Sequence, residues 1–343
     1  MKIGVNFGYW SPAGPPPQAA EIVAEADRLG LDSVWTAEAY GSDVMTPLAW
    51  WGAGTSQIRL GTAIAQISAR EPAAAAMAAI TMDHLSQGRF ILGLGVSGPQ
   101  VVEGWYGKPF AKPLARTREY IEIIRKVVKR DEPVSYDGEF YRLPLDGGTG
   151  LGKPLKAGVR PFREDIPIFL AAEGPKNVAL AAEVCDGWLA LFYAPEHDGF
   201  YRDALDEGFA REGARRTRQE FEVVASVPVI VTDDIDGALD AMRPMYALYF
   251  GGMGARNKNF HADVARRMGY EREVDTIQDL YLSGKKDEAA AALPRTLLEE
   301  LTLVGSREKI LDDLDKWKAS QVTTLLVQGT HVGMLEDLAA LAA

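Results

Sequence analysis

Residues 58–96 read IRLGTAIAQISAREPAAAAMAAITMDHLSQGRFILGLGV. The two ends are short apolar runs of strand length, and the Ala-rich middle from Pro72 to Gln87 is a helix with proline at its start. Strand, helix and strand in about forty residues form a unit that returns the chain parallel to itself. The first strand of the unit is unusual. Strands covered on both faces favour Val, Ile and Leu, yet this one thins to Gly61, Thr62, Ala63, Ile64 and Ala65 before a polar exit at Gln66, Ser68, Arg70 and Glu71.

The same alternation extends in both directions. KIGVNFG precedes PQAAEIVAEADRLG, whose apolar residues recur at helical spacing up to a capping Gly30. DSVWTAE and a helix over 46–55 follow, and then the quoted unit. Beyond it come a helix over 115–130 and the strands IPIFLAA (166–172), DGWLALF (186–192), EVVASVPVIV (222–231) and VTTLLVQ (322–328). Helices over 176–185, 197–213, 233–248 and 306–319 separate these. Eight strands, each followed by a helix, predict an α/β fold closed into a TIM (β/α)8 barrel; an open doubly wound sheet is the alternative. The pattern reads as one domain over 1–343 with insertions at 131–165 and 249–303, both expected to cap the barrel mouth.

Composition narrows the function. The chain has 343 residues, 47% hydrophobic and 25% charged, with a formal charge of −11. Acidity without a basic cluster argues against nucleic acid. No apolar run reaches the roughly 18–20 residues of a membrane span. A single cysteine, Cys185, excludes an internal disulfide. The expectation is a cytoplasmic protein acting on a small molecule.

The C-terminal ends of barrel strands carry the active site. That rule selects Asn6 to Tyr9, Glu38 and Tyr40, Ala63 to Ser68, Ser97 to Gln100, Ala171 to Lys176, and Phe192 and Tyr193. The histidines (His84, His197, His261 and His331) show no metal-ligand spacing, and no nucleophile elbow is present, so no metal site is expected. A mouth of glycine, alanine and backbone with a few acids and aromatics suits a flat cofactor that brings its own reactivity. The AAEGPK turn (171–176) exposes backbone N–H groups at a helix start, a candidate phosphate cradle to which Lys176 adds charge. Glu38 is a candidate for a cofactor hydroxyl or for acid/base work. His84 reads as a helix cap or core contact, and His261 as a candidate substrate contact. Trp10, Trp105 and Tyr106 are candidate walls for a planar substrate.

The run LGTAIAQISAREPAAAAMAAITMDHLSQGRFILGLGVSG (60–98) resembles the luciferase-like monooxygenase superfamily of flavin and deazaflavin enzymes. TAEAYGSDVMTPLAWW, GVSGPQVVEGWYGKPFAKPLARTREY, AAEGPKNVALAAEVCDGW and LYFGGMGARNKNFHADVARRMGY are similar to an actinobacterial subgroup of coenzyme F420-dependent oxidoreductases. The resemblance implies a bulge after strand 3 with a cis peptide at Ala63–Ile64, pressed against a deazaflavin ring for which small neighbours leave room. It places Gln66 and Ser68 near the ring or its chain, Ser97 and Gly98 beside them, and the phosphate of the tail near Ala172, Glu173, Gly174, Pro175 and Lys176. It also implies a homodimer.

One departure shapes the expected chemistry. The family's sugar-phosphate and alcohol dehydrogenases end strand 2 in Asp-His, where this chain has Glu38 and Ala39. The matching base is missing, which favours reduction of an activated double bond, imine or carbonyl over alcohol oxidation. Glu38, Tyr40 and Glu103 are the candidate proton donors. FMN-dependent monooxygenation and a cofactor-binding protein without turnover are the alternatives.

Overall fold

The computed structural model describes residues 1–254, 256 and 258–342. Eight parallel strands form a closed ring: β1 (Lys2–Asn6), β2 (Ser33–Thr36), β3 (Arg59–Thr62), β4 (Phe90–Gly95), β5 (Ile168–Ala171), β6 (Gly187–Leu191), β7 (Glu222–Val231) and β8 (Thr324–Gln328). β8 pairs with β1, Ile3 opposite Leu325, which closes the barrel and sets aside the open sheet. Around it lie α1 (Ala19–Arg28), α2 (Thr46–Gly52), α3 (Pro72–Leu85), α4 (Pro113–Lys129), α5 (Pro175–Val184), α6 (Asp198–Phe209), α7 (Ile235–Ala247) and α8 (Arg307–Ala319). A last helix, α9 (Leu335–Ala342), follows β8 and has too few polar interruptions for its period to be read from the sequence. The short helix Pro99–Gly104, hidden in the Gly/Pro-rich run after β4, is likewise unforeseen.

Inside the ring, Trp35, Ile91, Phe169, Leu189, Val224 and Leu326 fill one layer, one residue from each of six strands. This layer explains the thinness of β3. A side chain at Gly61 would overlap the Trp35 ring, and one at Gly93 would overlap the Thr62 carbonyl. Thr62 is tied to the Gly93 backbone twice, donating to its carbonyl at 2.7 Å and accepting from its N–H at 2.8 Å. Small residues at 61 and 62 therefore serve barrel packing. The expected room for a ring is left only by Ala63 and Ile64, which sit on top of the layer beside Ala171.

The two insertions go to different places. Residues 249–303 carry four helices, Phe260–Arg267, Glu271–Leu282, Lys286–Ala291 and Arg295–Glu300, with a core of their own around Tyr246, Phe250, Ile277 and Leu297 that Phe192 joins from the barrel rim. Ala255 and Asn257 of its loop lie outside the described residues. Residues 131–165 were expected over the mouth and are not. After the hairpin Tyr136–Asp137 and Arg142–Leu143, the segment runs along the outside to the N-terminal face, where Arg163 binds the buried Asp83 carboxylate and the carbonyl of Phe90, the first residue of β4. A carboxylate with no exposure needs such a partner, and this one fixes the route. His84, expected as a cap or core contact, is exposed and holds the Arg160 carbonyl of the same segment at 2.8 Å. No described helix is long and apolar enough to cross a membrane.

Candidate active site

The mouth on the β2–β3 side is built by one carboxylate. Between Thr62 and the two-residue continuation Ala65–Gln66, which pairs with β4, the chain bulges out of the ladder. The Ala63–Ile64 peptide in the bulge is cis. Ala63 donates to the Thr36 carbonyl at 2.7 Å, and the Ile64 carbonyl accepts from Glu38 N–H at 3.3 Å. Glu38 Oε1 accepts from the Gln66 backbone at 2.8 Å and from Arg70 Nη1 at 2.6 Å. Arg70 also pairs with Asp43. Burial alone would pull the Arg70 guanidinium down, but the two carboxylates outweigh it and hold it protonated; Asp43, for its part, is held below the ordinary carboxylate range by the Thr46 N–H and Arg70 despite its burial.

Glu38 is thus a buried, ion-paired anchor for the bulge, a structural role beyond the proton donation expected of it. Both contacts are charge-assisted hydrogen bonds that fix the carboxylate oxygen in place. Gln66 is a second anchor. Its amide donates to the carbonyls of Glu38 and Ala39 at 3.0 and 3.1 Å, while its buried Oε1 has no partner among the described residues.

The other expected donors fall apart in space. Tyr40 is 57% exposed at the rim. Glu103 is exposed on the short helix and accepts from Phe110 N–H at 3.2 Å, which makes it a loop cap. Ser97 and Gly98 follow β4 and lead into that helix, Ser97 with a φ of 58°. Ser68 is buried behind the bulge. Of the aromatics expected as walls, Trp105 is exposed, Tyr106 bonds the Ala39 carbonyl and Trp10 packs toward Trp51.

On the opposite side, Gly174 precedes α5 in extended conformation with nothing within 4 Å of where a side chain would start. Pro175 opens the helix, and Lys176 is exposed beside it. Ala172 is buried, its carbonyl taken by Trp188 Nε1 at 2.8 Å. Glu173 does something the sequence did not announce. Its carboxylate contacts His261 Nδ1 at 2.6 Å, and its carbonyl accepts from Arg267 at 2.7 Å, so the insertion helix Phe260–Arg267 is fastened to the end of β5. Burial pulls the His261 pKa down, but the charge and hydrogen bond of Glu173 outweigh it and the net direction is up.

The His261 ring stands edge-on to Phe192 at 5.7 Å and Tyr249 at 5.0 Å. Phe192 and Tyr249, with Leu191, Ser226, Pro228, Met245, Tyr246, Leu301 and Gln328, line a small cavity of about 30 Å³ over the ends of β6, β7 and β8. Tyr249 lies on a π-helical turn, Leu248–Gly252, within electrostatic reach of Tyr9 and Tyr40. Arg267, Tyr249 and the His261–Glu173 pair join residues far apart in sequence, and no local motif marks them. Among the described residues no cluster of His, Cys, Asp and Glu could hold a metal.

Comparison with known proteins agrees with this architecture. The family model described as luciferase-like monooxygenase matches residues 3–324. A Mycobacterium tuberculosis protein named "Putative coenzyme F420-dependent oxidoreductase Rv3520c" is 57% identical over 343 residues, 99% of each chain. The 5,10-methylenetetrahydromethanopterin reductase of Archaeoglobus fulgidus is 28% identical over 97% of this chain and 94% of its own. The solved coenzyme F420-dependent tetrahydromethanopterin reductase of Methanopyrus kandleri superposes with a TM-score of 0.79 at 23% identity, covering 99% of this chain and 97% of that one. A closed barrel with a bulge after β3, matched by the family model nearly from end to end, identifies this chain as a member of the luciferase-like monooxygenase family.

Proposed function

We propose that the protein is a coenzyme F420-dependent oxidoreductase that moves hydride between the deazaflavin and a small organic acceptor, reducing an activated double bond, imine or carbonyl. The observation that carries this reading is the 57% identity, along the whole chain, to a relative whose name assigns it to that class. The residues present fit such a guest. The bulge offers half-exposed Ala63 and Ile64 at the mouth, and the buried Gln66 Oε1 is an acceptor without a partner among the described residues. The open approach to Gly174, at a helix start with Lys176 beside it, suits a phosphate.

When bound, the deazaflavin supplies or accepts the hydride. The protein's part is to present a surface for the ring at Ala63–Ile64, held by Glu38, Arg70 and Gln66, and to anchor the tail at residues 172–176. It also leaves the acceptor the rim beside Tyr9 and Tyr249, next to the aromatic ends of β6 to β8.

Titration of the purified protein with oxidised F420 and, separately, with FMN, followed through each visible absorption band, tests the reading. Deazaflavin binding in the micromolar range with weaker FMN binding is expected. No interaction with F420 at micromolar concentration overturns it, and tighter FMN binding with oxygen consumption replaces it by a monooxygenase.

A further inference from the structure

The strand-2 base of the family's dehydrogenases is absent, and Glu38 in its neighbourhood is locked by Arg70. If the mouth handles hydride, a proton must still travel. Few rim groups can carry it. Glu173 is engaged by His261, and Tyr249 holds its proton firmly because burial raises its pKa. Glu103 is a loop cap on the surface. His261 differs from all of these. It borders Phe192 and Tyr249 of the cavity wall, it keeps partial exposure, and its Nε2 has no hydrogen-bond partner among the described residues.

We propose that His261, oriented through Nδ1 by the Glu173 carboxylate, exchanges the substrate proton at Nε2. The inference rests on the oxidoreductase reading above. In the reducing direction, the acceptor takes hydride at one end of its double bond, with both electrons of that bond's reduction. At the other end it takes the Nε2 proton, the N–H bond breaking as the new C–H, N–H or O–H bond forms. The imidazole is left neutral and is reprotonated from solvent, while the Glu173 carboxylate keeps its contact with Nδ1 and fixes the ring and its tautomer. The insertion thereby restores, from residue 261, a function that relatives place at the end of strand 2. The charged and titratable groups around it are Glu173 and Lys176 on the β5–α5 turn, Tyr201 of α6, Tyr249 with Tyr9 and Tyr40 beyond it, and Asp263 and Arg267 on its own helix.

The test has one arm without cofactor and one with it. In histidine-labelled protein followed by NMR, the signal that H261N removes is expected to titrate above the ordinary value of about 6.5, and E173Q is expected to bring it down. In the second arm, H261N keeps an amide donor toward Glu173 but cannot titrate. With reduced F420 and 2-cyclohexen-1-one, H261N is expected to lose about 10²–10⁴-fold in kcat, with the deazaflavin Kd within about threefold of wild type. It is also expected to lose the fall in rate that wild type shows as pH rises through the His261 pKa. Retained rate and pH profile in H261N overturn the inference, as does a loss of cofactor affinity matching the loss of rate. A His261 signal that titrates at or below the ordinary value, indifferent to E173Q, overturns it whether or not the enone is turned over. Wild type that binds neither F420 nor FMN sinks the oxidoreductase reading instead, which separates the two failures.

Discussion

At the ends of β2 and β3 the mouth is made by residues 36–70, whose partners lie about thirty positions apart, and its charges are already spoken for: Glu38 binds Arg70 and the bulge, and Asp43 completes the pairing. At the ends of β5 to β7 the mouth is assembled from segments up to 94 positions apart, and its central pair, Glu173 with His261, leaves one imidazole nitrogen uncommitted among the described residues. The first side has the character of a platform. Its small residues, ion pair and backbone bonds hold a shape. The second is an aromatic enclosure, fastened by a pair whose strength depends on protonation. Two kinds of fastening are thus divided between two rims of one barrel, a fixed ion-pair network on one and a histidine–carboxylate pair on the other.

The sharpest way to break the platform is at its foundation. Gly93→Val places a side chain against the Thr62 carbonyl and Leu189, and no soluble folded protein is expected, as judged by yield and far-UV circular dichroism. On the other rim, Phe192→Ala removes the side chain that joins the insertion core to the barrel. A loss of about 3 kcal/mol is expected from chemical denaturation, with hydrogen exchange accelerated in residues 260–300 before the barrel strands. A uniform response through both regions would contradict the division between them. Arg70→Ala leaves Glu38 buried without its partner. Since Arg70 is partly exposed, about 2–3 kcal/mol is expected, with protection lost at the bulge and unchanged in the insertion.

Smaller effects separate the rims by pH. The His261 pKa is raised in the folded protein, so its pairing with Glu173 adds stability in full below the unfolded value of about 6.5 and loses it as pH rises through the folded value. Glu173→Gln should therefore lower the melting temperature more at pH 6 than at pH 9, by about 1 kcal/mol of stability; an equal loss at both would remove the pH-dependent fastening. Smallest of all is the expected silence of Cys185. Burial without exposure pushes its thiol up to about 12, so a thiol reagent at pH 8 should label the protein only on unfolding.

The barrel was legible because each βα unit carries its own local signal. Period-two and period-3.6 patterns, Pro72, Pro113 and Pro175 at helix starts and Gly30 at a helix end all survive without knowledge of tertiary contacts. The bulge position was legible through resemblance, but the reason for its small residues was not. Gly61 makes room for Trp35 and Gly93 for the Thr62 carbonyl, and both are contacts between strands. The path of 131–165 was opaque for the same reason: Asp83 and Arg163 are 80 positions apart, and neither looks unusual in its own segment. Glu173 was singled out from the helix start that follows it, whereas its partnership with His261 comes from an insertion whose placement no periodicity encodes.

A crystal structure of the protein soaked with coenzyme F420 tests the central claim most directly. The deazaflavin ring is expected against Ala63–Ile64, with the tail running toward residues 172–176 and His261 facing the space left for the acceptor. A ring bound elsewhere, with Ala63 and Ile64 untouched, or a mouth that takes up no deazaflavin while the crystals stay intact, would contradict it.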